Sequence, residues 1–461
     1  MAYFNEDRAS SVRSTMRQDP RGCPTSTVSA AAIEQMEQAL ESMLSYFGDA
    51  LAALDRAQAA DPGWAHAPMV KAGLLLTVGE YETTRQARVA LATAARLAAN
   101  AHEREKAHII AAQAAADGNW DRACELWDAI LVQWPRDVAA LLFAHLFDFY
   151  RGDALNLKRR PQRVLPRWSP DSPFYGYVLG MAAFGLEESG HYCEAEDAGR
   201  AAVAMNPRDP WAIHAVTHVF EMQGRHRAGA EWLDSHVEDW AVDNGFSFHN
   251  WFHAALFQLE KMDTQAALEV YDAQLAPVAD MALQRVDRTA ILWRLKLLGV
   301  DVASRFAALR GTWSTDAPTA GFYAFNDLHA LIACIGADGS GADALLAAMA
   351  NAASGGSSNE RMTRKVGLPL ARAFRAYGAG RWSEATEGLL RVRDSAHLFG
   401  GSHAQRDIVT LTLLDAAVRA GERRLAAHIL AERHPAKQHT PLTAFWHRRI
   451  SGAKTQRLDY Q

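Results

Sequence analysis

Two pairs of histidines share one internal spacing. His214 and His218 lie in Trp211-Ala-Ile-His-Ala-Val-Thr-His-Val-Phe-Glu221, and His249 and His253 lie in Phe248-His-Asn-Trp-Phe-His253. Residues four apart on a helix sit on one face, one turn from each other. Each pair therefore offers two imidazoles side by side, and Glu221, three residues past His218, extends the first face. Imidazole titrates near neutrality and is the commonest metal ligand among side chains. His214, His218, His249 and His253 are thus candidate metal ligands. Two histidine pairs plus a carboxylate suit a borderline divalent ion such as zinc, manganese, iron or cobalt. Without an ion, the same rings serve as general acid and base. Trp211 and Trp251 adjoin the pairs and offer flat faces for a substrate, and Asn250 adds a hydrogen-bonding group. The bland alternative for any one histidine is a core position satisfied by a backbone carbonyl, and for the tryptophans it is simple core packing.

Two further segments carry polar groups in pattern. Phe325-Asn-Asp-Leu-His329 opens a helix, with Asn326 as a binding residue and Asp327 and His329 as acid/base candidates. In Gly400-Gly-Ser-His-Ala-Gln-Arg-Asp407, two glycines and a serine read as a loop and N-cap. A helix N-terminus favours an anion, so Arg406 and Asp407 join the candidate binding residues. His403 and Asp407 have the spacing of an Asp-oriented imidazole, and a capped surface helix is the alternative. With His403, Glu221 completes the acid/base set. Position 215 is alanine, so His-Glu-x-x-His is absent. Gly-x-Gly-x-x-Gly, Walker A and Gly-x-Ser-x-Gly motifs are absent too, and no nucleotide cofactor is expected.

The elements that must position these residues are helices. Strand signals are weak, and a glycine-aromatic-alanine punctuation recurs. Gly118-Asn-Trp-Asp-Arg-Ala123, Gly190-His-Tyr-Cys-Glu-Ala195 and Gly380-Arg-Trp-Ser-Glu-Ala385 match closely, with looser copies at Gly79 and Gly224. Pro135 and Pro207 follow Gly118 and Gly190 by the same interval. This is the punctuation of tetratricopeptide hairpins. Glycine ends helix A, alanine lets helix B approach, and proline stops helix B. Anchored on Gly190 and Gly224, His214, His218 and Glu221 take groove-facing positions 5, 9 and 12 of a helix A. With Gly339 as a turn glycine, Asn326 and His329 take positions 2 and 5. Lys261 stands where the next glycine is expected, so His249 and His253 face either the groove or the seam between hairpins. Helices pack 8 to 10 Å apart, so imidazoles from both can meet at one ion.

Composition excludes several classes. The 461-residue chain is 49% hydrophobic and carries a net charge of −5, which argues against nucleic acid as a partner. The basic run Lys158, Arg159, Arg160, Arg163 and Arg167 reads as solvated or ion-paired. Four scattered cysteines, Cys23, Cys124, Cys193 and Cys334, indicate neither a disulfide framework nor a zinc knuckle. No apolar run approaches a membrane span, and a cytoplasmic location is expected. Residues 1–28 read as a flexible start, 29–450 as one superhelical domain with a connection at 158–173, and 451–461 as a polar tail.

The chain resembles the family of the tetratricopeptide repeat protein 38 type over about residues 25–450. The matching segments are Tyr177–Glu188, Asn206–Arg225, His249–His253, Phe325–His329 and Gly400–Asp407. The resemblance implies an all-α solenoid, strongly curved or closed. The family includes a bacterial member associated with toxoflavin-type azapteridine biosynthesis, which points towards redox chemistry on a nitrogen heterocycle, although no motif selects that member. Three functional readings follow. The first is an enzyme acting on a small polar molecule inside the solenoid. The second is an adaptor holding a peptide or protein in a concave groove. The third is a purely structural role for the histidines and tryptophans.

Overall fold

The turn glycines do what their positions demand. A computed structural model describes residues 17–277, 281–437 and 439–452. Gly190 joins the helices Tyr175–Glu187 and Tyr192–Met205, and Gly224 joins Pro210–Met222 to His226–Ser235. Their φ values, +78° and +67°, lie in the left-handed region that side chains with a Cβ avoid. Gly118 and Gly380 close equivalent hairpins. The alanines of the repeat, Ala123, Ala195 and Ala385, are fully buried where helix B meets helix A. The helices before Pro135 and Pro207 end at Gln133 and Met205. The chain is an all-α, tetratricopeptide-like solenoid of helical hairpins. Among the described residues the strands are one short antiparallel pair, Arg17–Gln18 with Pro24–Thr25.

Two expectations about connections change. The connection placed at 158–173 starts later, because the helix Ala154–Val164 runs through Pro161. Proline removes the N–H that would bond the Leu157 carbonyl. That carbonyl lies against Gly185, where a Cβ would stand 2.3 Å from its oxygen. The basic run is ion-paired in part: Arg160 meets Asp148 at 2.8 Å and also binds Asp128, which Arg163 shares. Of the expected flexible start, residues 17–28 are described and packed. Arg21 is buried and paired with Asp19 at 2.9 Å, and Thr25 donates to Glu105. Residues 1–16 and 453–461 lie outside the described residues.

The superhelix folds in upon itself. Arg285 pairs with Glu80 at 3.2 Å, Asn326 donates to the Gly79 carbonyl, and Trp293 donates to Thr412 at 2.8 Å. Lys437 meets Glu260 at 3.0 Å, and the Gly245 N–H donates to the Tyr46 carbonyl. Elements far apart in sequence thus meet across the interior. Positions that would line an open groove are core positions here. Among the described residues, no helix is long and apolar enough to cross a membrane. The four cysteines are free thiols, with Cys193 exposed.

Candidate metal centre

The helix Pro210–Met222 is set by local chemistry. Asp209 caps it, accepting from the N–H groups of Trp211 and Ala212 at 3.0 Å, and Pro210 occupies the first turn. His214 and His218 are buried on its inner face. The next helix A, Ser247–Glu260, ends at a left-handed residue that is not glycine: Met262, with φ +64°. The turn therefore falls one residue beyond Lys261. His214 and His218 lie ten and six residues before their turn, whereas His249 and His253 lie thirteen and nine before theirs. Three residues of offset rotate a stripe by roughly 60° around the helix. The second doublet therefore faces the seam and meets the first.

All four imidazoles converge. One ligand nitrogen from each of His214, His218, His249 and His253 lies within 4.8 Å of the others. Ring centroids are 4.4 Å apart for His214 and His218, 4.8 Å for His214 and His249, and 4.5 Å for His218 and His253. Each cluster histidine except His214 has a carboxylate near its Nδ1. Asp287 stands 2.7 Å from His249, Glu221 2.8 Å from His253, and Glu187 3.4 Å from His218. Both nitrogens of His214 and His218, and Nε2 of His253, make no hydrogen bond among the described residues. In metal centres a carboxylate commonly orients a ligand ring and leaves its other nitrogen for the ion, and Asp287 and Glu221 stand in that relation to His249 and His253.

Electrostatics agree with neutral ligands. Burial holds His214 and His253 well below the ordinary imidazole range, reinforced by the neighbouring rings, and lowers His218 to about 4. Neutral imidazole is the form that binds metal. Burial pushes Asp287 up and, with Glu188 beside it, pushes Glu187 well up. Burial would raise Glu188 too, but His403 and Arg406 outweigh it and hold it below its usual value.

The remaining predicted residues divide. Glu221 joins the centre through His253, and its other oxygen is 3.7 Å from Lys437. Trp211 lies against His214 at 5.3 Å and is packed by Phe184, Phe246 and Tyr46. Asn250 is buried next to His249, its side chain donating to the Pro210 carbonyl at 3.5 Å. Trp251 instead packs on Trp240 in the cluster of Ile213, Phe220 and Phe257. His329 is held by the Phe325 carbonyl at 2.8 Å, with burial lowering it to about 4. Asp327 accepts from the Gly321 N–H at 3.0 Å, and burial pushes it up to about 7. Asn326 binds Gly79. These three belong to a separate buried region.

Ser402 caps its helix as expected, with Gln405 completing the capping box. The His403–Asp407 pairing does not form. Asp407 is taken by Arg433 at 2.9 Å, while His403 and Arg406 turn to Glu188. Gln405 links this helix to the centre, donating to Asp287 at 3.3 Å.

Asp287, Glu187 and Glu188 were missed. Asp287 sits 38 residues from His249 and Glu187 31 from His218, with no motif joining them. The available signal was charge inside apolar helices: two acids end the run Tyr177–Leu186, and Asp287 precedes Ala290-Ile-Leu-Trp293.

No family model matches the chain. Among solved structures it is similar to the APC/C hetero-tetramer Cut9–Hcn1, at 11% identity and TM-score 0.40, covering 91% of this chain and 76% of that one. It is also similar to the human IFIT1 dimer with PPP-AAAA, at 13% identity and TM-score 0.34, covering 91% and 95%. A third is Naa15/Naa10 bound to HypK-THB, at 13% identity and TM-score 0.29, covering 92% and 80%.

Proposed function

We propose that this solenoid is a metalloprotein. Its four-histidine centre holds one divalent transition ion and acts with it on a small polar molecule. The observation that carries this reading is the convergence of four buried imidazoles backed by carboxylates. Buried polar atoms left unpaired cost about 1 to 3 kcal/mol each, and one ion would satisfy several at once. Four nitrogen ligands suit zinc, cobalt or iron better than manganese, which prefers oxygen. Asp287 and Glu221 balance the charge at one remove.

A cleft of about 440 Å³, lined by His403, Arg406, Asp407, Arg433 and Lys437 among others, lies beyond a layer of side chains from the centre. Its walls are one residue removed from two of the imidazoles. Arg406 and His403 hold Glu188, which lies 4.0 Å from His218, and Lys437 contacts Glu221, which holds His253. A polar molecule in the cleft would bind the cations of that wall. A bound ion would supply Lewis acidity, and the carboxylates keep the rings oriented. The resemblance to the tetratricopeptide repeat protein 38 type adds a lead towards redox work on a nitrogen heterocycle, although no motif selects that activity.

The test is elemental analysis of untagged protein beside the double variant His214→Ala/His218→Ala. Stoichiometric metal in the parent should vanish in the variant, with the helical circular-dichroism spectrum nearly intact. Equal metal content in both would sink the reading.

A second reading, a scaffold for a protein or peptide, draws on another observation. A second cleft of about 500 Å³, with Arg151, Arg361 and Lys365 on its walls, meets the first at His397. Together they form a track on which seven arginine and lysine side chains stand among the acids Asp121, Asp153, Asp394, Asp407 and Glu432, a small cationic excess that would suit an acidic extended segment. Fluorescence anisotropy with labelled acidic and basic peptides separates the outcomes, since only the acidic ones should bind.

A further inference from the structure

We propose a second cation site beside the first, formed by Glu187, Glu188 and the Nδ1 of His218, so that the His218 ring lies between two divalent ions. The proposal rests on the four-histidine reading above and extends it.

One oxygen or nitrogen from each of these three residues lies within 4.8 Å of the others. The Nδ1 of His218 is 3.4 Å from Glu187 Oε2 and 4.0 Å from Glu188 Oε1. Glu187 supplies the independent observation. It is fully buried, and neither carboxyl oxygen makes a hydrogen bond among the described residues. A buried carboxyl group in that state is costly and calls for a counterpart. A hydrogen bond to His218 does not answer the need, because 3.4 Å is long for a donor of either kind and Oε1 would stay bare. A cation answers it for both oxygens.

Neither nitrogen of His218 makes a hydrogen bond among the described residues, and the ring has both kinds of ligand as neighbours. His214 and His253 approach it at ring-centroid distances of 4.4 and 4.5 Å, and the two glutamates lie near Nδ1. With an ion on each nitrogen, the ring gives up its one N–H proton to solvent and binds as imidazolate. Glu187, which burial keeps protonated in the absence of an ion, also releases its proton to solvent as it binds, and no electron moves. The negative ring and the two carboxylates offset the added charge.

The two sites would differ in kind. The first has four imidazole ligands, so a substrate there takes a fifth position, whereas the second has three protein ligands and leaves a fourth position open. The glutamate site lies on the side of His403 and Arg406, both of which contact Glu188 and line the cleft. The open position of the second ion would lie on that side.

The experiment uses the full chain stripped by chelator and reloaded with cobalt(II) or copper(II) chloride alone. After desalting, elemental analysis should find two equivalents in the parent and one in Glu187→Gln. In the copper form, electron paramagnetic resonance should show two spins coupled through the shared ring, so the ordinary copper signal is lost. Glu187→Gln should restore a full signal from one copper. One equivalent in the parent overturns the second site and leaves the four-histidine centre standing. Two equivalents with uncoupled spins, or two retained in a folded Glu187→Gln, also overturn it, because the second ion is then elsewhere. Zero equivalents removes both readings. The parent stoichiometry decides even if the variant does not fold.

Discussion

The Nδ1 of His249 faces Asp287 at 2.7 Å, and that contact fixes which nitrogen points inward. Such a carboxylate acts on the ion through the ring. Asp287→Asn should therefore weaken metal affinity by about 10- to 100-fold without unfolding the chain, read by competition against a chromophoric chelator. Unchanged affinity would separate Asp287 from the centre. Asp327 allows a different test. Its folded-state value, about 7, lies above the ordinary 3.8. Between these values the folded chain holds a proton that the unfolded chain has released, so this carboxyl's contribution to stability declines as pH rises from 3.8 to about 7. Asp327→Asn removes that dependence. Its melting-temperature advantage over the parent should grow across that window and level off above pH 7, and a constant difference would refute the buried neutral carboxyl. At this scale the sequence showed the clustered histidines but not their carboxylate partners. His214 and His218 announce themselves by spacing, whereas Asp287 and Glu187 reach the rings through tertiary packing alone.

Helices carry their own signals to different degrees. Glycine with an aromatic and an alanine at set offsets marked hairpin turns, because only the left-handed turn and the close helix approach demand those types. Met262 hid the next turn, since a left-handed methionine has no such signature. The phase of His249 and His253 was lost with it. Close approach also explains the run through Pro161, where Gly185 lies on the carbonyl that proline leaves free. Gly185→Ala places a methyl 2.3 Å from the Leu157 oxygen, and backbone cannot rotate away. It should cost about 3 kcal/mol, the upper end for overpacking. Gly190→Ala meets nothing within 4 Å and should cost only the left-handed penalty, about 1 to 2 kcal/mol. Urea unfolding of the two variants orders them, and the reverse order would show that the helices separate easily.

For the whole molecule, the contacts across the interior set the behaviour. A solenoid whose units touch only their neighbours loses structure unit by unit. Here Trp293 reaches Thr412, Arg285 reaches Glu80 and Lys437 reaches Glu260. We expect residues 29–450 to unfold as one unit, with a single calorimetric transition. An ion present at 1,000 times its dissociation constant should add about 4 kcal/mol, so chelation should lower that one transition rather than split it. Two resolved transitions would count against this. The groove expected from repeat phase was misplaced for the same reason: the phase of a single hairpin does not say which distant element packs against it.

Closure also bears on how such a chain can change over generations. An open array tolerates a duplicated or deleted unit, because a newcomer needs only two similar neighbours. In this protein some hairpins are tied to distant ones, as Trp293 is to Thr412 and Arg285 to Glu80, and an extra unit between such partners would carry them out of register. Insertions are therefore expected in the outer loops rather than as whole hairpins between tied units.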